Sequence, residues 1–212
     1  MLNAGGRPVE SLPVAEARKV LADVQAAVEV DLSGIDERER EIVADGHALT
    51  LHLVRPHGSR GRPPYFVFIH GGGWVLGDYP THRRLVRDLV VESEVAAVFV
   101  DYTPSPEAKY PQAVDEIYAA VKWVAENDAE LDLDRRRMAL VGNSAGGNMA
   151  LAAALLAKKR HAPAVRALVL LWPVTSASSD WKSYALYGGE RFLTAPLMKW
   201  MFDRYTTDAR AR

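Results

Sequence analysis

The chain of 212 residues is 49% hydrophobic and 25% charged, values typical of one globular domain, or of one domain with a small lid. Its 26 basic and 27 acidic residues give a net charge of −1, which excludes the strongly basic surface of a protein that binds nucleic acid or an anionic membrane. The absence of cysteine excludes disulfides and thiolate metal sites.

The N-terminus does not resemble a signal peptide, because residues 1–13 contain no basic segment followed by an apolar run. The longest apolar run, residues 149–157, is too short to cross a bilayer. We therefore expect a cytoplasmic protein without a membrane partner.

The first third of the chain predicts a helix and a hairpin. Five apolar residues recur at helical spacing near the N-terminus: Val14, Ala17, Leu21, Val24 and Val28. Residues 41–45 and 48–55 are predicted to be two short strands joined by a turn at Gly46 and His47. Residues 57–64 are a polar loop rich in Gly and Pro.

The middle of the chain alternates between strands and helices. Near-continuous apolar runs are typical of strands buried on both faces of a parallel sheet, and four occur here: Tyr65–Ile69, 96–100, 138–141 and Ala167–Leu171. Helical spacing lies between them, with Leu85 and Leu89 in one segment and Val114, Ile117, Val121 and Val124 in another. Residues 150–157 are apolar nearly all round, as in a helix packed deep against a sheet. This alternation predicts an α/β fold with right-handed crossovers.

The last stretch differs in composition. Residues 181–189 are aromatic and loop-like, Thr194 is a predicted N-cap of a final helix, and residues 209–212 are expected to be a frayed tail. Several large side chains of this stretch are expected to pack the segment onto the core, with some of them lining an acyl pocket: Trp181, Tyr184, Phe192, Trp200, Met201, Phe202 and Tyr205.

Ser144 lies in a sequence typical of a nucleophile elbow, Gly142-Asn143-Ser144-Ala145-Gly146-Gly147. The pattern G-x-S-x-G places a serine on a sharp strand-to-helix turn, and Ser144 follows a predicted strand and precedes a predicted helix. The N-terminus of that helix favours developing negative charge near the serine. The alternative is a helix N-cap serine in a glycine-rich turn, with no catalytic role.

A second motif, His70-Gly71-Gly72-Gly73-Trp74, follows the apolar strand Tyr65–Ile69. It is therefore expected at the same edge of the sheet as Ser144. Ester hydrolysis passes through an oxyanion that needs converging backbone N–H donors, and glycines let the backbone approach closely. The alternatives are a flexible glycine loop and a phosphate-binding loop.

These two motifs, with Asp101-Tyr102, Pro106-Glu107 and Tyr110-Pro111 between them, resemble the hormone-sensitive-lipase-like branch of the α/β-hydrolases. The resemblance covers essentially the whole chain and implies carboxylic ester hydrolysis without a cofactor. It implies that Ser144 is the nucleophile and that the oxyanion hole comprises the loop residues Gly71, Gly72 and Gly73 together with Ala145. It also implies that the N-terminal helix and the segment after Leu171 form a lid.

The chain departs from the family pattern in three places. Asn143 stands where the family often has Asp, which is a minor variation, and Thr103-Pro104-Ser105 replaces a run that commonly contains Arg. In the family the catalytic acid and histidine follow two further strands, for which this sequence has no counterpart. We interpret the sequence as ending in the lid segment, with base and acid outside residues 1–212.

The histidines and Asp180 offer weak substitutes for the base and acid. His161 precedes the strand Ala167–Leu171, so we expect it at the opposite sheet edge, about 17 Å away, as a solvated loop residue. His70 is expected to shape the oxyanion loop and His82 to lie at the start of a helix on the rim. Asp180 follows the last strand, from which an acid can approach the site, but a surface-loop position is favoured. The remaining histidines are expected in peripheral strands and a loop: His47, His52 and His57. The scatter of all six predicts no metal site.

The sequence therefore predicts a single α/β-hydrolase domain over residues 1–212, with a mostly parallel sheet flanked by helices and with its last strands missing. The sheet core is expected at 36–173 and helical lid elements at 1–35 and 174–212. The predicted function is hydrolysis of a small acyl ester without cofactor or metal. The alternative is a hydrolase-derived chain that binds a ligand without turnover. Copies are expected to associate through the uncharged edge strand Ala167–Leu171.

Overall fold

A six-stranded sheet forms the centre of the molecule in a computed structural model that describes residues 6–189 and 192–208. The strands are β1 (Ile35–Ala44), β2 (His47–Pro56), β3 (Tyr65–Ile69), β4 (Ala96–Asp101), β5 (Met138–Asn143) and β6 (Ala167–Leu171). Their order across the sheet is β1-β2-β4-β3-β5-β6. β3, β4, β5 and β6 pair in parallel, whereas β2 pairs antiparallel with both β1 and β4. The predicted α/β fold is confirmed.

The six α-helices of the described residues are α1 (Val14–Ala26), α2 (Tyr79–Ser93), α3 (Gln112–Glu126), α4 (Ala145–Lys159), α5 (Lys182–Tyr187) and α6 (Ala195–Tyr205). α2 packs on one face of the sheet, and α3 and α4 pack on the other. Successive residues of β3 point to opposite faces, because strand side chains alternate. Phe66 and Phe68 pack with α2 on one face, while Val67 and Ile69 join the core made with α3, α4 and α6 on the other. Within the described ranges, no helix has the length and apolar character needed to span a membrane.

The hairpin is longer than its sequence suggested. β1 begins at Ile35, six residues before the predicted start, because its charged side chains face solvent and hide the strand pattern. The turn lies at Asp45 and Gly46, whose φ angles of 46° and 87° fit the tight turn that matches the twist of a hairpin. Residues 181–189, expected to be loop-like, contain the short helix α5. Residues 209–212, expected to be a frayed tail, lie outside the described residues.

β6 is the edge strand next to β5. It is not buried on both faces, although its apolar sequence suggested that it would be. Leu168 and Val169 are 38% and 44% exposed, and the next residue after the strand, Trp172, is 68% exposed. The prediction of burial on both faces is wrong here, because β6 is the last strand of the sheet, paired with β5 along one edge and packed against α4. An uncharged open edge is a template for pairing with another chain.

We expect the chain to associate through this edge at micromolar concentrations, and Val169→Lys to reduce the association by placing a charge on the strand. Light scattering across a concentration series measures the effect. Val43→Lys is the matched control, because Val43 is 72% exposed on the opposite edge strand β1. A chain that stays monomeric over the whole series would contradict the prediction.

Candidate active site

Ser144 occupies a strained backbone position between β5 and α4. Its φ of 54° and ψ of −122° lie outside the regions favoured by non-glycine residues, which costs about 1–3 kcal/mol. Three backbone hydrogen bonds hold it there: its N–H donates to Leu171 (2.9 Å), and its carbonyl accepts from Asn148 (3.1 Å) and Val174 (3.2 Å). The segment after β6 therefore helps to fix the turn.

The Ser144 side chain does not serve the helix as a cap. It stands at the N-cap position of α4, yet it makes no capping hydrogen bond. Across residues 6–189 and 192–208, no side chain or backbone group hydrogen-bonds its hydroxyl. The hydroxyl is thus held in a strained position and left free at the edge of the sheet, which argues against the alternative of an N-cap serine.

Glycines allow the close approach of the two motifs. A Cβ at Gly146 would lie 2.1 Å from the carbonyl oxygen of Ile69, so α4 starts against the end of β3 only because position 146 lacks a side chain. This contact brings the loop after β3 beside Ser144. The structure therefore places the two predicted motifs at the same sheet edge.

The glycine loop presents unpaired donors. Gly72 and Gly73 have φ angles of 109° and 62°, and the Gly72 carbonyl accepts from the N–H groups of Val75 and Leu76. Within the described part of the chain, the N–H groups of Gly72, Gly73 and Ala145 donate to no protein acceptor. The N–H of Gly71 differs, because it donates to Asn143 Oδ1 at 2.9 Å. Gly71 therefore supports the loop and has no free donor to offer.

His70 is fully enclosed at the start of this loop. Its ring stacks on Tyr102 with centroids 4.3 Å apart, and its Nδ1 lies 2.7 Å from the Gly71 carbonyl oxygen, to which it donates. Burial lowers the pKa of His70 to about 3, so the ring is neutral at physiological pH. These contacts agree with the expectation that His70 shapes the loop.

Two cavities meet at Ser144. The first, of about 310 Å³, is mostly apolar and lies among Gly73, Ser144, α1 and α6, which contribute Leu21 and Met201. The second, of about 700 Å³, is more open and runs past Trp172 toward α5. Helices from opposite ends of the chain thus close over one serine.

The aromatic residues of the last stretch divide between packing and lining. Tyr205 stacks on Trp74 with centroids 4.4 Å apart, and Phe202 contacts the same ring. Phe192 and Met201 line the first cavity, whereas Trp181 and Tyr184 line the second. Thr194 caps α6 by accepting a hydrogen bond from the N–H of Leu197, as the sequence predicted.

The structure brings one histidine to the first cavity. His82 lies in the first turns of α2 and lines the cavity with Ser144. His161 and Asp180 are exposed, and His161 lies beside a separate groove near the start of β6. In the described residues, no group of three or more His, Asp or Glu side chains is arranged to hold a metal ion.

Arg18 joins α1 to the loops around the site through hydrogen bonds that the sequence did not indicate. Its guanidinium donates to the carbonyls of Val75 (2.8 Å) and Ser105 (2.9 Å) and to both carboxylate oxygens of Glu107 (2.8 and 2.7 Å). Fork-like pairing of this kind is among the stronger side-chain contacts. It fixes α1 over the first cavity.

We expect Arg18→Ala to destabilise the protein by about 1–3 kcal/mol and to expose α1 to proteases, because four hydrogen bonds to a charged group are lost. Chemical denaturation and limited proteolysis measure the two effects. Lys19→Ala is the control, since Lys19 pairs with Asp23 on the exposed side of the same helix. Equal losses of stability and of protease resistance in the two variants would show that the Arg18 hydrogen bonds do not stabilise the protein.

The Arg18–Glu107 pair also predicts that the stability of the protein depends on pH. The hydrogen bond from Arg18 lowers the pKa of Glu107. Stabilisation by a carboxylate of lowered pKa is fully present above the pKa of the unfolded glutamate and is lost as pH falls through the folded value. The stability difference between the native chain and Glu107→Gln should therefore shrink below about pH 4. A constant difference down to pH 3 would contradict this.

A mostly parallel sheet with a strained strand-to-helix serine and a glycine loop at its carboxyl edge is the architecture of an α/β hydrolase. Residues 66–212 match a protein family whose description is "alpha/beta hydrolase fold". The chain belongs to this family. The family predicted from the motifs is confirmed.

Several esterases are similar to this chain. Ethyl acetate hydrolase of Pseudomonas putida is 31% identical over 94% of this chain and 64% of its own length. A solved thermostable esterase from Pseudomonas putida is 54% identical over 100% of this chain and 66% of its own, with a TM-score of 0.97. A fungal esterase from Rhizomucor miehei is 36% identical over 97% of this chain and 66% of its own, with a TM-score of 0.91. The chain thus spans about two thirds of the length of these relatives.

Proposed function

We propose that this protein is a carboxylic ester hydrolase acting on small acyl esters, with Ser144 as its nucleophile. One observation carries the proposal: a strained serine with a free hydroxyl stands beside three unpaired backbone N–H groups at the wall of an apolar cavity. The esterase names of the similar proteins support it.

In the proposed reaction, Ser144 Oγ attacks the ester carbonyl carbon and the carbonyl oxygen becomes an oxyanion. The N–H groups of Gly72, Gly73 and Ala145 donate to that oxygen, where preorganised dipoles favour developing charge. The proton of the Ser144 hydroxyl passes to a general base, which gives it to the departing alcohol as the intermediate collapses and leaves an acyl group on Ser144. Water then adds to the acyl carbon, the carboxylic acid is released, and a proton returns to Ser144 Oγ. No cofactor takes part.

The general base and its orienting acid are proposed to come from outside the 212 residues. No described histidine or carboxylate hydrogen-bonds Ser144 Oγ, and a serine without a base is a weak nucleophile. That same observation favours the alternative, a chain that binds an ester-like ligand without turnover.

Helices α1 and α6 are proposed to act as lid elements, within the predicted divisions at residues 1–35 and 174–212. Both line the first cavity, and its volume of about 310 Å³ suits a small acyl group. The cytoplasmic location expected from the sequence stays a prediction.

A fusion protein tests the proposal. The remaining third of the 54% identical Pseudomonas putida esterase is joined to this chain, and hydrolysis of p-nitrophenyl esters of increasing acyl length is measured. We expect turnover on acetate and butyrate, a decline for long acyl chains, and loss of turnover in Ser144→Ala. Ser93→Ala is the control, since exposed Ser93 ends α2 and its hydroxyl donates to the Leu89 carbonyl. Binding of the esters without hydrolysis would favour the alternative.

A further inference from the structure

The Asn143 side chain joins the two halves of the site. Asn143 ends β5 and precedes Ser144, and its Oδ1 accepts the Gly71 N–H at 2.9 Å. Asn143 lies close against Gly71, because a Cβ there would be 2.8 Å from Asn143 Nδ2 and 2.6 Å from the Asn143 carbonyl oxygen. This contact links the serine turn directly to the glycine loop.

The Gly71 contact fixes which way the amide points. Gly71 contributes an N–H, so the atom facing it must be the acceptor Oδ1 and not the Nδ2 group. Nδ2 is therefore turned toward His82, whose Nε2 lies 3.5 Å away. The contact is long, so its hydrogen bond is a weak one.

The amide orientation in turn fixes the state of His82. Two donors cannot face each other, so Nε2 must be the unprotonated nitrogen and Nδ1 must carry the hydrogen. Nδ1 lies 3.2 Å from the Asp78 carbonyl oxygen, which can accept that hydrogen. Thr81 Oγ1 lies 3.1 Å from Nδ1, but its hydrogen is donated to the same carbonyl at 2.9 Å, so toward Nδ1 this oxygen is an acceptor and not a donor.

The surroundings of His82 favour a neutral ring. Burial lowers its pKa, and the neutral ring of His70 lies 5.2 Å away. Asp78, the N-cap residue of α2, acts in the opposite direction, because its backbone hydrogen bond and its charge raise the pKa of His82. The position and orientation of the ring are held by packing, since a Cβ at Gly77 would lie 3.0 Å from atoms of both His70 and His82.

We propose that His82 and Asn143 are a pair of positioning residues, in which neutral His82 accepts from the Asn143 amide and thereby holds the Gly71–Gly73 loop in register with Ser144. The inference rests on the proposed function, because it concerns the N–H donors assigned to the oxyanion. It also gives residue 143 a specific role: an asparagine, having both an acceptor and a donor, can bind Gly71 and an unprotonated Nε2 together. An aspartate at this position requires a proton on Nε2.

The first test is amide hydrogen exchange of Gly71 in the 212-residue chain, followed by NMR. Asn143→Ala and His82→Ala should each speed the exchange of this amide about tenfold or more, as expected when a hydrogen bond or its support is lost. His82→Gln, which restores an acceptor, should recover much of the protection. His161→Asn is the control, since this exposed histidine has φ 57°, which asparagine tolerates. Unchanged Gly71 exchange in His82→Ala overturns the proposal.

The second test reads the His82 ring by its ¹⁵N shifts at neutral pH. We expect hydrogen on Nδ1 alone in the native chain and a proton on Nε2 in Asn143→Asp, a change that requires residue 143 to face Nε2. Hydrogen on Nε2 in the native chain, or no change in Asn143→Asp, overturns the proposal. Thermal melting of each variant confirms that it is folded before the spectra are compared.

Kinetics of the fusion protein separate this inference from the proposed function. His82→Ala in the fusion should lower kcat about tenfold with little change in KM, because the affected donors act on the transition state. If the fusion hydrolyses no ester, the proposed function fails, while the exchange and ¹⁵N results still decide the positioning pair. If the fusion is active and His82→Ala keeps full kcat, the pair does not position the loop.

Discussion

The 212-residue chain by itself should hydrolyse p-nitrophenyl acetate about a millionfold more slowly than the fusion protein, the loss typical of a serine hydrolase deprived of its histidine. The physical reason is the free Ser144 hydroxyl, which no described base contacts. A residual acceleration of about 10³–10⁴ over water is expected from the N–H donors and the cavity.

The same reasoning predicts strong non-additivity. Ser144→Ala should abolish turnover in the fusion protein but change the slow rate of the chain alone by less than about tenfold, because nucleophile and base act as a unit. Steady-state kinetics of the four proteins test this. Rapid turnover by the chain alone, lost in Ser144→Ala, would falsify the assignment of the base to residues outside the chain. His82 would then be the first candidate, since it lines the cavity with Ser144.

The sequence predicted the parts of the site whose chemistry is local. Gly142 and Gly146 around Ser144, after an apolar strand, specify a strand-turn-helix within six residues, and the structure contains that turn. The sequence also predicted the parallel core strands, because burial on both faces produces an unbroken run of apolar residues.

The sequence could not predict contacts that depend on distant elements. Arg18 is one arginine among many in the sequence, and only the fold brings it to Glu107. In the sequence Asn143 is only a minor variation of the motif, because its hydrogen bond to Gly71 connects residues from two different strand ends. The predicted start of β1 was too late, because the exposed charged residues at the beginning of the strand hide the apolar alternation that predicts a strand. Side chains lining the first cavity come from both ends of the chain, and no local pattern marks them.

The glycine loop should tolerate a methyl group very poorly at position 72. A Cβ there would lie 2.0 Å from the Leu76 carbonyl oxygen, and φ is 109°. The matched control is Gly46→Ala, because Gly46 also has a positive φ, 87°, but has nothing within 4 Å of a Cβ. We expect Gly46→Ala to cost about 1–2 kcal/mol from backbone strain alone, and Gly72→Ala at least about 1–3 kcal/mol more. Denaturant unfolding measures both values.

Activity should separate the two variants further. In the fusion protein, Gly72→Ala should lower kcat by about 10²–10³, the loss typical of one oxyanion donor, while Gly46→Ala leaves kcat unchanged. Gly73→Ala adds a contrast, because its Cβ would meet Met201 Sδ at 2.0 Å, the flexible end of a side chain and not backbone. In a Met201→Ala background, the additional cost of Gly73→Ala should therefore fall toward that of backbone strain alone, whereas the additional cost of Gly72→Ala should be unchanged, because its clash is with fixed backbone. Equal falls in the two costs would mean that the loop relaxes as a whole, and that its glycines are not held by the separate contacts described for them.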